Sequence, residues 1–351
     1  MGASLADRGH FRGPSVQSGR VDGEALEGQG TKPVDRGSMI INRMIKFSMH
    51  RRHFLATLAA GTHPFMTDLS DAAVQPLIQA LKPSPRMPVL FVGHGSPMNA
   101  IEDTPWRRTW QAMGAELLKR PEAPQLILCI SAHWLTDGGW QLTGMARPKT
   151  IHDFGGFPQA LFDQQYPAPG APAVAATLAR ELKSPATGKA LGVDPSEWGF
   201  DHGTWSVLKP MFPRADIPVL QLSMDYSRAP SEHYALGKQL QQLRSRGVLI
   251  VGSGNIVHNL RAVRRDVHDN QAYDWAQAFD AAIQKQIANG QLGELQNFQA
   301  LGDMARLSHP THDHFLPLLY AAGAAAPNEM PRFFNTGFQA ASISMRSVLW
   351  G

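Results

Sequence analysis

Cysteine is almost absent from this chain: of 351 residues, Cys129 is the single one. That excludes an intramolecular disulfide and any zinc–thiolate cluster. Cys129 lies in the apolar run QLILCIS and reads as a small buried apolar residue. No stretch approaches the ~18 consecutive apolar residues of a membrane span. HExxH, CxxC and P-loop patterns are also missing, so the usual short-range metal and phosphate signatures are lacking. Nor is there a basic surplus in the part that reads as folded. The net charge is +4, yet residues 1–86 hold 11 basic and 7 acidic residues while the remainder holds 22 of each. A neutral folded part argues against nucleic acid or an anionic membrane as partner.

What the chain does have is apolar content, 43% against 18% charged, enough for a sizeable core in one large domain or two small ones. Residues 1–86 read as an extension. Residues 1–38 are rich in Gly, Ser, Arg and Asp with little periodicity, which predicts either disorder or sequence ahead of the true start, with Met39, Met44 and Met49 as alternative starts. In MHRRHFLATLAAG, residues 49–61, Arg51 and Arg52 followed by Phe54 and Leu55 resemble a twin-arginine export signal. A mobile amphipathic segment is the competing reading, because the apolar run is short and Pro64 and Asp68 interrupt it. A cytoplasmic location is expected, with the periplasm as the alternative if that signal operates.

From Met87 the pattern becomes regular. Val89–Val92, Gln125–Ser131, Gly139–Gly144, Pro218–Leu222 and Gly247–Gly252 read as strands. Thr104–Arg120, with Thr104 as N-cap and Pro105 in the first turn, reads as a helix, as do Ala171–Leu182, Ser231–Arg246, Asn270–Asn289 and His309–Ala322. Arg332–Asn335 and Ala341–Leu349 are strand-like. Alternating strands and helices predict an α/β fold, a single domain over 87–351 around a mostly parallel or mixed sheet flanked by helices.

Three apolar strands each end near a histidine: VLFVGHG at His94, LILCISAH at His133 and LIVGSGNIVH at His258. Strand ends in such a sheet share one edge, where ligands bind, so these imidazoles can form one site. Gly93 and Gly95 leave His94 uncrowded. His314, in HPTHDHF, and His202, in the DHG loop, are further candidates. Histidine is a common ligand of first-row metals and an acid–base group near neutral pH, so the set points to a mononuclear metal site. Trp134, Trp198 and Trp205 flank these histidines and either wall a pocket or pack in the core. His152, in a Gly-rich loop, is a candidate cover for the site. His233 and His268 read as solvated on polar helical faces, and His309 and His312 as helix caps or orienters of His314. Ser96 and Ser253 lack the GxSxG elbow of a nucleophile and read as loop residues.

Taken together, FVGHGSPMNAIED, SAHW, IHDFGGFPQALF, DHGTWSVL, GSGNIVHNL and HPTHDHFLPLLYAAGA resemble the 4,5-DOPA extradiol dioxygenase group of the class III extradiol ring-cleaving dioxygenases. The resemblance covers residues 87–351. It implies His94 and His133 as metal ligands and His314 where the broader superfamily supplies a carboxylate. It implies His258 as an acid–base group that is also counted among the metal ligands, and His202 as a catalytic histidine facing the substrate. The implied partners are a small catechol such as DOPA, and O₂, with one divalent metal ion per chain. Non-haem Fe(II) oxygenases use two histidines and one carboxylate, and Asp313 stands beside His314 as a competing ligand. Three or four imidazoles suit Zn²⁺ equally, but Zn²⁺ has no redox chemistry. The expectation is therefore Zn²⁺ as isolated and Fe²⁺ for oxygen chemistry. Two rivals use the same histidines: a zinc hydrolase with Asp201 or Asp313 as general base, and a non-catalytic metal-binding protein.

Overall fold

In the computed structural model, residues 81–351 are described; the expectations for residues 1–38, for the alternative starts and for the twin-arginine-like segment lie outside them. Eight strands form the main sheet: β1 Val89–Gly93, β2 Leu126–Thr136, β3 Gln141–Thr143, β4 Gly192–Asp194, β5 Val219–Asp225, β6 Val248–Gly254, β7 Pro331–Phe334 and β8 Ser347–Trp350. Their order is β4-β3-β5-β2-β6-β1-β8-β7. The four central strands, β5, β2, β6 and β1, are mutually parallel; β3 runs antiparallel to β5, and β8 antiparallel to both β1 and β7. The sheet is therefore mixed, with a parallel centre.

The central strands read as unbroken apolar runs because both faces are covered. Successive side chains point to opposite faces. Val89 and Phe91 of β1 join one core, with Leu128 and Ile130 of β2; Leu90 and Val92 join the other, with Ile127 and Cys129. The first core is closed by helices α2 (Pro172–Glu181), α4 (Pro230–Leu240), α5 (Asp274–Ala288) and α6 (Leu316–Ala324), the second by α1 (Pro105–Leu118) and α3 (His202–Met211). Each large apolar side chain so buried contributes about 1.5–3 kcal/mol. Thr104 caps α1 by accepting from the Arg107 amide, with Pro105 following, as the sequence predicts. Burial raises the Cys129 thiol pKa to about 12, so this cysteine is packing, not a reactive thiol. Among the described residues, no helix is long and apolar enough to cross a membrane.

Three expectations need correction. The segment from His309 does not begin a helix: α6 starts at Leu316, and HPTHDH is a series of bends and turns. The carbonyl of His314 accepts from the amide of Asn255 just past β6, which ties this turn to the sheet. The predicted 341–349 strand is two pieces, Ile343–Ser344 and β8, because the Met345 amide turns aside to the Gly337 carbonyl. His233 is not solvated. It is fully buried under α6, where Trp140 Nε1 donates to Tyr320 Oη at 2.6 Å and that hydroxyl lies 2.7 Å from His233 Nδ1. Burial keeps His233 neutral, and its Nδ1 and the Tyr320 hydroxyl share one hydrogen bond.

The first described residues are stitched to the sheet rather than trailing from it. Leu81 is buried, the Ser84 amide donates to the Ser245 carbonyl, and Lys82 and Gln125 exchange two hydrogen bonds. A chain beginning at Met87 is expected to melt at a lower temperature than one beginning at Leu81; equal midpoints for the two truncations would contradict this. A second expectation concerns acid. Burial lowers the His233 pKa from 6.5 to about 4, so between those values the unfolded chain takes up a proton the folded chain refuses. The stabilisation is complete above pH 6.5 and is lost as pH falls towards 4. The stability gap between wild type and His233→Gln, from urea midpoints, should narrow across that window; a constant gap would argue against a neutral His233.

Candidate metal centre

Each histidine of interest is delivered by a specific backbone feature. His94 follows β1 directly; its amide donates to the Gly254 carbonyl at 3.1 Å, and Gly95 takes the left-handed φ of +56° that turns the chain away. His133 lies within β2, which runs past the predicted end at Ser131. The register of β2 against β5 shifts between Ile130 and Leu135, a bulge that re-aims the side chains of the SAHW stretch. His314 sits just before α6 and is pulled against β6: a Cβ on Gly254 would lie 2.2 Å from the His314 carbonyl oxygen, so only glycine permits the approach. His258 follows β6 in a bridge with Ile343. His202 opens α3, capped by Asp201.

These elements bring His94, His133 and His314 together, with one ligand nitrogen from each within 4.8 Å of the others. Their ring centroids are 5.0–5.2 Å apart, and His94 Nε2 is 3.4 Å from His133 Nε2. His258 lies flat against His314, centroids 3.4 Å apart and planes 5° from parallel. His202 adjoins His133 at 3.9 Å and His94 at 5.7 Å. All five sequence-predicted histidines thus share one edge of the sheet.

The partners of each Nδ1 show what the cluster is fitted for. Ser253 Oγ donates to the Gly203 carbonyl at 2.5 Å, so at 3.0 Å from His94 Nδ1 it can only accept, and the ring proton is on Nδ1. Asp313 Oδ2 pairs with His314 Nδ1. Asp153 Oδ2 lies 3.2 Å from His133 Nδ1. All three rings therefore present an Nε2 lone pair, and two of those lone pairs face each other. A cation between them removes that repulsion; carboxylate and hydroxyl partners behind the ligands are the usual orienters of metal-bound imidazoles. Asp313 is thus an orienter of His314 rather than its competitor. Burial first, then the neighbouring imidazoles, holds His94 and His133 well below the ordinary histidine pKa, and burial followed by His314 does the same for His258, so these rings are neutral without waiting for high pH.

Other candidates fall outside the cluster. Asp201 is fully buried and accepts from Ser131, Trp198, Gln221 and the Thr204 amide. Burial, then the charge of Asp153, raises it to about 6. His152 bonds the Gln164 carbonyl at 2.9 Å and packs on Phe154 and Trp205, bracing the loop rather than entering the site. His309 is buried with Nε2 at 2.6 Å from the Ile256 carbonyl, and His312 stacks on Tyr226. Trp134 and Trp198 stack on each other at 5.6 Å, while Trp205 is buried in the core. His268 is exposed. Ser253, read as a loop residue, orients His94. Asp153 was not singled out from sequence; its only signal was its place beside His152 in IHDFGG.

The model of the family described as the catalytic LigB subunit of aromatic ring-opening dioxygenase matches residues 88–344. This chain belongs to the LigB family. It is 45% identical over 270 residues to the 4,5-DOPA dioxygenase extradiol of Escherichia coli (strain K12), covering 76% of this chain and 96% of that protein. The enzyme of the same name from Beta vulgaris is 35% identical over 258 residues, covering 73% and 94%. A crystal structure of an uncharacterized protein from Escherichia coli K12 superposes with a TM-score of 0.64 at 39% identity, covering 76% of this chain and 100% of that one. As a LigB-family member this chain is an extradiol ring-cleaving dioxygenase. Enzymes of the family work with a single metal ion, and the His94–His133–His314 cluster can hold one.

Alanine at His94, His133 or His314 should each abolish stoichiometric metal binding measured by elemental analysis, with the fold retained by circular dichroism. His258→Ala should retain more metal than His94→Ala. Full occupancy in His133→Ala would remove that residue from the ligand set.

Proposed function

We propose that the chain opens the ring of a catechol, DOPA being the leading candidate, by inserting both atoms of O₂ beside the diol. The observation that supports this most is the convergence of His94, His133 and His314 with two further imidazoles, His258 and His202, at one sheet edge. His94, His133 and His314 would hold the ion, Fe²⁺ for turnover and Zn²⁺ as commonly isolated. The bound ion would supply adjacent coordination positions for the two diol oxygens and for O₂, and the electron exchange between them. His258, stacked on His314, is placed to take a catechol proton and return it as the ring opens. His202 is placed on the other side, against His133, to accept a hydrogen bond from the second hydroxyl. Phe154, which packs 5.5 Å from His202, offers an apolar face on that side. The catalytic domain is assigned to residues 87–351, with 1–86 as an extension.

The hydrolase alternative needs a free carboxylate beside the metal. Asp201 is consumed by four donors and Asp313 by His314, which removes the support for that reading. The test is DOPA and simple catechols under air, with oxygen uptake and the yellow ring-opened product followed together. Protein loaded anaerobically with Fe²⁺ should turn over when oxygen is admitted, and the Zn²⁺ form should not. His258→Ala should lose turnover by about 10²–10⁴-fold, the usual worth of a general acid–base group. Hydrolysis of an ester or amide with no cleavage of any catechol would replace this function with the hydrolase.

A further inference from the structure

We propose that Asp153 is a positioning residue that places the ring proton of both His133 and His202 on Nδ1, so that one carboxylate aims two Nε2 lone pairs into the site. The proposal rests on the reading of His133 as a metal ligand, and goes beyond it by giving His202 a defined tautomer.

The geometry is that of one anion between two rings. Asp153 Oδ2 is 3.2 Å from His133 Nδ1, and Oδ1 is 3.0 Å from His202 Nδ1. Oδ1 also accepts the His202 backbone amide at 2.9 Å. Neither ring contact is a linear hydrogen bond; both are close approaches of Nδ1 to a carboxylate oxygen. The argument does not need one. At 3.0 Å, an Nδ1 without a proton would set its lone pair against a carboxylate oxygen in a poorly solvated place, whereas an Nδ1–H meets the same oxygen with its positive end. A neutral imidazole carries one ring proton, so a proton held on Nδ1 leaves Nε2 as an acceptor. For His133 this is the nitrogen facing His94. For His202 it is a free acceptor beside the ligand cluster, suited to a hydroxyl of the bound substrate.

Ser253 and Asp313 each serve one ring. Asp153 differs in serving two, one a ligand and one not, so it ties the metal site to the substrate-facing histidine. The loop that carries it is anchored at Ile151, whose amide donates to the Phe200 carbonyl at 2.7 Å and whose carbonyl accepts from Trp205 at 2.9 Å.

The same three residues have ligand atoms within 4.8 Å of one another and invite a rival reading as a second cation site. That would require Nδ1 lone pairs on both rings, and a doubly deprotonated His133 if its Nε2 holds the first ion.

The experiment uses the full chain loaded with Zn²⁺, which is diamagnetic. Long-range ¹H–¹⁵N spectra of the ring nitrogens report each tautomer, and competition with a chromophoric chelator reports affinity. Wild type should bind one Zn²⁺ and show Nδ1–H on both His133 and His202. Asp153→Asn keeps the shape but turns an amide NH₂ towards one ring, so at least one of the two should move its proton to Nε2. Zinc affinity should fall about 10–100-fold, the usual cost of losing such a partner. An Nε2–H on His202 in the wild type overturns the proposal without recourse to any variant. Unchanged tautomers and affinity in Asp153→Asn overturn it also. Two Zn²⁺ per chain, the second lost in Asp153→Asn, would establish the rival site instead. None of these readouts depends on ring cleavage, so a failure of the catechol reaction leaves them standing, while zinc retained in His133→Ala would show the ligand reading itself at fault.

Discussion

Packing His94, His133 and His258 among their neighbours at one sheet edge imposes a constraint: burial holds all three uncharged. A proton added to any of His94, His133 or His258 would meet burial and neighbouring rings together. A neutral imidazole still has one donor and one acceptor, and both need a destination. Ser253 and Asp313 bond the Nδ1 of His94 and His314, and Asp153 faces that of His133. The acceptor sides are then forced inward, where lone pair faces lone pair until a cation intervenes. The metal centre follows from how the outer shell disposes of protons.

That outer shell explains features of the fold that packing alone does not. Ser253 reaches His94 because β1 and β6 are in parallel register, Val92 beside Ser253 and Gly93 beside Gly254. Gly203 lies against Ser131 and His133 so closely that a Cβ would fall 2.3 Å from Ser131 Oγ, which lets the start of α3 approach β2 and lend its carbonyl to Ser253. The bulge in β2 interrupts an otherwise regular ladder at the one place where a side chain must leave the alternation. Asp201, buried and fully bonded, caps α3 and so holds the backbone from which His202 projects.

Much of this was legible in the sequence, and the limits have physical causes. The central strands announce themselves because burial on both faces makes them uniformly apolar, and strand ends in a parallel sheet place His94, His133 and His258 together without further information. His314 was found through its motif, since the turns around it have no periodicity to read. His233 was misread because a helix face with Glu232 and Lys238 nearby looks polar; the partners that make it a core residue, Tyr320 and Trp140, lie far away in the chain. Asp153 and Ser253 were passed over for a related reason. A residue that orients a ligand has no spacing rule of its own, because its partner belongs to another element. Asp313 was seen only as a possible competitor of His314: adjacency in sequence cannot tell a carboxylate that binds an ion from one that binds the ligand's other nitrogen.

The placement of β8 has a kinetic consequence. It lies between β1 and β7 and pairs Val89 with Trp350, so the edge of β1 beside the His94 loop is closed by a segment at the opposite end of the described chain. His94, His133 and His314 are likewise drawn from widely separated stretches. Contacts of such long sequence separation carry their loop-closure entropy before they return any stabilisation. A nascent chain that has made β1, β2 and β6 owns most of a parallel sheet but neither its covered edge nor its third ligand. The clustering of these histidines thus comes late, and until then the uncovered edge of β1 is open to pairing with the wrong strand.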